Sequence, residues 1–134
     1  MLFLDTNVYS ALANGKEEAI NLLKGRHEIS LALPVIAELR YGFLKGPQKD
    51  SNEKTLQRFL AQPNVEIAVP SIKTTYIYSE LQLHCNKSGK VLSHNDLWIA
   101  ALAKEANGIL ATYDQDFAAL IEVLAEKLLI LSEK

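Results

Sequence analysis

Met1-Leu2-Phe3-Leu4-Asp5-Thr6-Asn7 opens the chain. The apolar run is short and continuous, and it reads as a strand buried on both faces. Asp5 ends the run, and Thr6 or Asn7 then caps a short helix that stops at Asn14-Gly15. A buried strand that turns at once into a helix is one half of a strand–helix–strand unit. The rest of the chain repeats the alternation. Glu28–Leu33, Val65–Val69, Ile109–Thr112 and Leu128–Leu131 read as further strands. Helices are expected over Glu17–Leu23, about Val35–Leu44, Ser51–Leu60, Ile72–Lys87 and Ser93–Ala106, with Phe117–Lys127 mostly helical. Pro34 suits the first turn of its helix, Gly46-Pro47 breaks it, and Ser88-Gly89 and Asn107-Gly108 close later ones. Within Ile72–Lys87, the residues Ile72, Thr75, Tyr76, Ser79 and Leu83 recur at helical spacing.

This pattern predicts an α/β fold, a three-layer α/β/α sandwich around a mostly parallel sheet of about five strands. In such sheets ligands bind outside the carboxyl ends of the strands. The 134 residues suit a single domain over 1–134, long enough to form a core without disulfides or structural metal. Only Gly46–Lys54 has a composition that suggests disorder. Cys85 is the one cysteine, so no internal disulfide forms, as expected of a reducing compartment. Met1–Leu4 is too short for a signal-peptide core, and no apolar run approaches the ~20 residues of a membrane span. These features predict a cytoplasmic protein. The net charge of −2 is a weak objection to a nucleic-acid partner. Carboxylates of a metal site cancel a basic rim in the sum while acting elsewhere.

The acids decide where to look. Asp5 ends the first strand, and Asp114 stands just beyond Ile109–Thr112. Glu38 falls near the start of the helix after the second strand, and Asp96 in the first turn of the helix after Ser93. Each has an ordinary explanation taken singly: a helix cap for Asp5, the positive helix end for Asp96, a surface pair for Glu38, a turn for Asp114. All four nevertheless fall at one edge of the expected sheet, among apolar neighbours such as Leu4, Val8, Leu39, Leu97 and Trp98. Two carboxylates about 5 Å apart repel by roughly 3 kcal/mol at an effective dielectric near 20. A cluster of them is costly unless a hard cation such as Mg²⁺ or Mn²⁺ neutralises it and acts on a phosphate. His27, His84 and His94 are scattered, and they offer no zinc-ligand spacing.

Four segments carry a family resemblance. Leu2-Phe3-Leu4-Asp5-Thr6-Asn7, Ala37-Glu38-Leu39-Arg40-Tyr41-Gly42, Asn95-Asp96-Leu97-Trp98-Ile99-Ala100-Ala101 and Leu110-Ala111-Thr112-Tyr113-Asp114-Gln115-Asp116-Phe117 resemble, in order and spacing, the acidic motifs of PIN domains. Across the whole chain the sequence is similar to the VapC-type toxins. The resemblance implies a Mg²⁺- or Mn²⁺-dependent endoribonuclease that acts on RNA. It also implies a homodimer, held inactive by a small antitoxin whose tail fills the active-site groove. It makes Asp5, Glu38, Asp96 and Asp114 the catalytic metal ligands, with Asp116 as an additional candidate; Asp114 is preferred because it lies two residues after Thr112. Thr6, Asn7 and Thr112 would orient ligands or water by hydrogen bonds. Where the family opens the Glu38 helix with Ser or Thr, this chain has Pro34-Val35, so no hydroxyl is expected from that turn.

Arg40 is a candidate contact for RNA or antitoxin, and Lys45, Lys49, Lys87 and Lys90 are candidates for a basic rim, with solvated surface charge as the equal alternative. Trp98, Tyr76 and Tyr78 are expected in core or dimer contacts rather than as base-stacking platforms. Two rival readings stand beside the nuclease. One is an inactive PIN-like scaffold that binds RNA or protein. The other is a phosphatase with Asp5 as nucleophile, disfavoured because Asn7 stands where its second acid would be.

Overall fold

Central strands made almost wholly of apolar residues need cover on both faces, and the chain supplies it. The computed structural model describes residues 1–132. Its strands are β1 (Leu2–Leu4), β2 (Ile29–Ala32), β3 (Val65–Ala68), β4 (Ile109–Thr112) and β5 (Leu128–Ile130). They form one fully parallel sheet in the order β3-β2-β1-β4-β5. β1 and β2 are buried throughout, whereas the edge strands β3 and β5 are partly exposed.

The helices are α1 (Thr6–Ala13), α2 (Glu17–Leu23), α3 (Leu33–Lys45), α4 (Lys49–Leu60), α5 (Ile72–Lys87), α6 (His94–Glu105) and α7 (Ile121–Leu124). The chain runs from β1 through β2 to β3 and then returns past β1 to β4 and β5. With the right-handed crossovers that rule such units, this order puts α1–α4 on one face and α5, α6 and α7 on the other. Packing agrees: α1 meets α2 and α3, Tyr9 of α1 meets Phe59 of α4 edge-on at 5.2 Å, and α5 packs along α6. Phe3, Leu4, Leu31, Leu110, Leu56, Ile99 and Phe117 lie in the core.

The strand order reverses between β1 and β4, which makes their carboxyl ends a topological switch point, the position where such sheets bind ligands. Gly108, entering β4, is required by close approach, because a Cβ there would stand 2.8 Å from the Phe3 ring. Gly15 and Gly89 take positive φ at the ends of α1 and α5, as the stop signals predicted.

Several boundaries differ from the sequence reading, and the structure decides a helix face that the spacing left open. Asp5, not Thr6 or Asn7, is the N-cap of α1. The segment Gly46–Lys54, expected to be the least ordered, is mostly the start of α4, tied to α3 by the Arg40–Glu53 pair. Phe117–Lys127 is not one helix but 3₁₀ turns flanking the four-residue α7. α5 buries Thr74, Leu81 and Cys85, so the stripe Ile72, Tyr76 and Leu83 faces outward, with Ile72 78% and Tyr76 71% exposed. Tyr76 therefore contributes nothing to the core, while Tyr78 and Trp98 pack between α5 and α6 with ring centres 4.4 Å apart. Among the described residues no helix is long and apolar enough to cross a membrane.

Candidate active site

Asp5 is 6% exposed, and both of its oxygens are held. As the cap of α1 it accepts the Thr6 N–H on Oδ1 at 2.8 Å. Its Oδ2 accepts the Thr112 hydroxyl at 2.7 Å, a bond from the carboxyl end of β4. The Thr6 hydroxyl donates to Glu38 Oε1 on α3. The Thr112 hydroxyl in turn accepts the Asp114 N–H at 2.9 Å, and Asp114 Oδ1 accepts the Asp116 N–H at 2.9 Å. A continuous hydrogen-bonded chain thus runs Glu38–Thr6–Asp5–Thr112–Asp114 across the switch point. It joins residues 107 positions apart in sequence.

Asp96 joins this group by charge. Ser93 caps α6 by accepting the Asp96 N–H at 3.1 Å, which aims the first turn of that helix at the edge. Burial, followed by the charges of Asp5, Asp114 and Glu38, pushes the Asp96 carboxyl up to about 6, against the pull of the Ser93 hydroxyl. Asp5 is raised as well. Burial is the main cause, opposed by the bonds from Thr112 and Thr6 and reinforced by Glu38 and Asp114. The acids singled out in the sequence therefore share one electrostatic neighbourhood with a like-charge penalty.

The remaining candidates divide. Thr6 and Thr112 orient carboxylates as expected. Asn7 is exposed, and among the described residues its amide bonds to none of the acids. Asp116 is exposed and serves Asp114 through its backbone N–H. Arg40 is turned to α4, where it grips Glu53 with two bonds of 3.1 and 2.8 Å. Lys45 lies over the Tyr41 ring at 4.5 Å. Lys49, Lys87 and Lys90 are exposed.

The sequence reading missed the bond from the Tyr113 hydroxyl to Glu18 of α2, 3.1 Å long and spanning 95 positions. No local spacing signals it. It borders a groove of about 490 Å³ beside the acids, lined in part by Asn7, Asn14, Glu17 and Glu18.

Among the described residues no three His, Cys, Asp or Glu side chains form a ready-made ligand shell. The donors are all hard carboxylate oxygens. Glu38 Oε2 and Asp114 Oδ2 accept no hydrogen bond within the described chain. This set suits a hard divalent cation that keeps much of its water, such as Mg²⁺ held through one or two carboxylates, and not a closed cage.

Comparison with known proteins identifies the family. The PIN domain profile matches residues 2–122. The ribonuclease VapC2 of Rickettsia felis is 34% identical over 113 residues, covering 81% of this chain and 83% of that protein. The ribonuclease VapC5 of Mycobacterium tuberculosis is 31% identical over 117 residues, 87% of this chain and 85% of its own. The fold superposes on a chain of the VapBC2 structure from R. felis, bound to a DNA fragment from its promoter, with a TM-score of 0.79. There the identity is 30%, over 98% of each chain. With the profile spanning nearly its whole length and two VapC ribonucleases as relatives, the chain belongs to the PIN-domain family.

Proposed function

We propose that this chain, as one domain over residues 1–134, is a metal-dependent endoribonuclease and the toxin of a toxin–antitoxin pair. It hydrolyses RNA phosphodiester bonds in the cytoplasm and is restrained by a small cognate antitoxin. The observation that carries this reading is the convergence of Asp5, Glu38, Asp96 and Asp114 on the β1/β4 switch point, where burial and then the charges of the other three lift Asp96 to about 6. A carboxylate set under such strain is a site built for positive charge.

Asp5, Glu38, Asp96 and Asp114 would hold Mg²⁺ or Mn²⁺, with Asp116 reaching it only if the turn at Asp114 rearranges. One or two such ions supply Lewis-acid activation of water and stabilisation of the departing oxygen. The chain supplies alignment. Thr6 N–H and Thr112 Oγ1 fix the plane of Asp5, and Thr6 Oγ1 fixes Glu38. Ser93 sets the first turn from which Asp96 projects. Arg40, engaged by Glu53, is assigned no contact with RNA.

The outward stripe of α5, Ile72, Tyr76 and Leu83, supports a homodimer, because a row of large apolar side chains on one helix face favours a partner surface. RNA cleavage tests the main reading. Total cellular RNA incubated with the purified protein should give discrete fragments with Mg²⁺ or Mn²⁺. It should give none with EDTA, and none with Asp96→Asn. The scaffold reading has one observation in its favour, the lack of a ready-made ligand shell among the described residues. A folded sample that neither cuts RNA nor gains thermal stability from Mn²⁺ would establish it instead.

A further inference from the structure

The groove beside the acids is walled by α1, by the start of α2 and by Tyr113. Its volume of about 490 Å³ lies in the ~300–1,000 Å³ range of small-molecule pockets and exceeds what a single nucleobase fills. It adjoins the reaction centre at two points. Asn7 stands two residues after Asp5, and Tyr113 lies between Thr112 and Asp114. A strand of RNA whose phosphate meets the acids therefore has its neighbouring nucleotide at the mouth of this groove.

Charge decides which part of that nucleotide enters. Glu17 and Glu18 face a single cation, Lys16, so the lining repels a phosphate. Carboxylates accept hydrogen bonds and donate none, which matches the exocyclic amine of cytosine, adenine or guanine. Uracil offers one edge donor, N3–H, set between the acceptors O2 and O4. A carboxylate that reaches for it meets repulsion from an oxygen on either side, whereas an exocyclic amine gives it a donor clear of that clash. The Tyr113 hydroxyl holds Glu18 at 3.1 Å, which fixes that carboxylate and sets an aromatic ring in the wall, a surface on which unpaired bases stack. Asn14, at the end of α1, adds an amide that both donates and accepts.

We propose that the α1–α2 groove reads the base beside the scissile bond, admitting a base with an exocyclic amine and rejecting uracil, with Glu17 as a specificity residue. The inference rests on the ribonuclease reading for its substrate class, and its test does not need turnover. The Asp96→Asn protein, in Mg²⁺, is titrated with short labelled oligouridines in which a single cytidine or adenosine is moved along the strand. At one position the amino base should tighten binding about tenfold over uridine, the scale of one hydrogen bond to a charged group. Adding Glu17→Gln, which supplies a donor, should shrink that ratio below about threefold, and Asn14→Ala should lower affinity for the preferred oligonucleotide. Binding indifferent to base at every position, or a preference that Glu17→Gln leaves intact, overturns the proposal and leaves the groove to a protein partner. Base-selective binding that depends on Glu17 in a wild type that cuts no RNA would sink the nuclease reading and keep only the groove's base preference, with no scissile bond beside it.

Discussion

Asp96→Asn keeps the shape of the side chain and removes its charge, and its consequence for stability follows from the site. In the fold, burial and then the Asp5, Asp114 and Glu38 charges raise the Asp96 carboxyl from 3.8 to about 6. The folded state therefore holds this proton more tightly than the unfolded chain does. The associated stability is complete below about pH 4 and is lost as the pH rises through about 6. Above that a constant deficit remains. Two pKa units correspond to about 3 kcal/mol, and because Asp96 is only half-buried, solvent screening reduces this to about 1–2 kcal/mol. Asparagine carries no such deficit. In EDTA at pH 7.5 the variant should melt roughly 3–8 °C above the wild type, with the gap closing towards pH 4. Excess Mn²⁺ should reverse the order, since a ligand at a hundred times its Kd adds about 2.7 kcal/mol to the protein that binds it. Thermal melts from pH 4 to 8, with and without metal, make the measurement. A variant that melts with or below the wild type in EDTA at pH 7.5, with the same pH slope, would show that Asp96 feels no like-charge cluster.

Thr112→Val strips Asp5 Oδ2 of its donor in a buried setting and should cost about 1–3 kcal/mol in denaturant melts. It should also move the pH–rate profile for RNA cleavage to higher pH, because that hydroxyl now lowers the Asp5 carboxyl; an unmoved profile would detach Asp5 from the reaction. Gly108→Ala forces a methyl against the Phe3 ring and should destabilise by about 1–3 kcal/mol, read by the same melts. Arg40→Ala should leave cleavage unchanged and barely move the melting temperature, since its pair with Glu53 is exposed. If the outward face of α5 carries the proposed homodimer, sedimentation should show a dimer for the wild type and a folded monomer for Tyr76→Glu, and a wild-type monomer would refute it.

Sequence made the sheet legible because parallel strands buried on both faces are written as short, nearly continuous apolar runs: β1 is wholly apolar, β2 is interrupted only by Ser30, and β4 is apolar up to Thr112. Capping residues are local too, so Ser93 and Gly15 marked the limits of α6 and α1 correctly. The orientation of α5 was less legible. Ile72, Tyr76 and Leu83 share a face, but so do Thr74, Leu81 and Cys85, and only packing against α6 decides which turns inward. The Arg40–Glu53 pair was hidden for a similar reason, since it depends on how α4 lies along α3. The groove was hidden as well, because Tyr113 and Glu18 meet only once the sheet is assembled.

Asp5 shows why the ordinary and the functional explanations of an acid need not compete. It is a helix cap, as a strand-end aspartate often is, and the cap bond to Thr6 is what fixes one of its oxygens towards the switch point. Asp114 makes a turn with Asp116, and that turn holds its carboxylate beside Thr112. The Asp96 N–H is capped by Ser93, and the same cap sets the first turn of α6 against the sheet edge. Each local bond is modest and would serve any helix or turn. What no single segment contains is the sum: α1, α3, α6 and the β4 turn bring their acids together only because the strand order reverses between β1 and β4. The raised Asp96 carboxyl, set first by burial and then by these charges, is therefore a property of topology, and the cation proposed for this edge would relieve it.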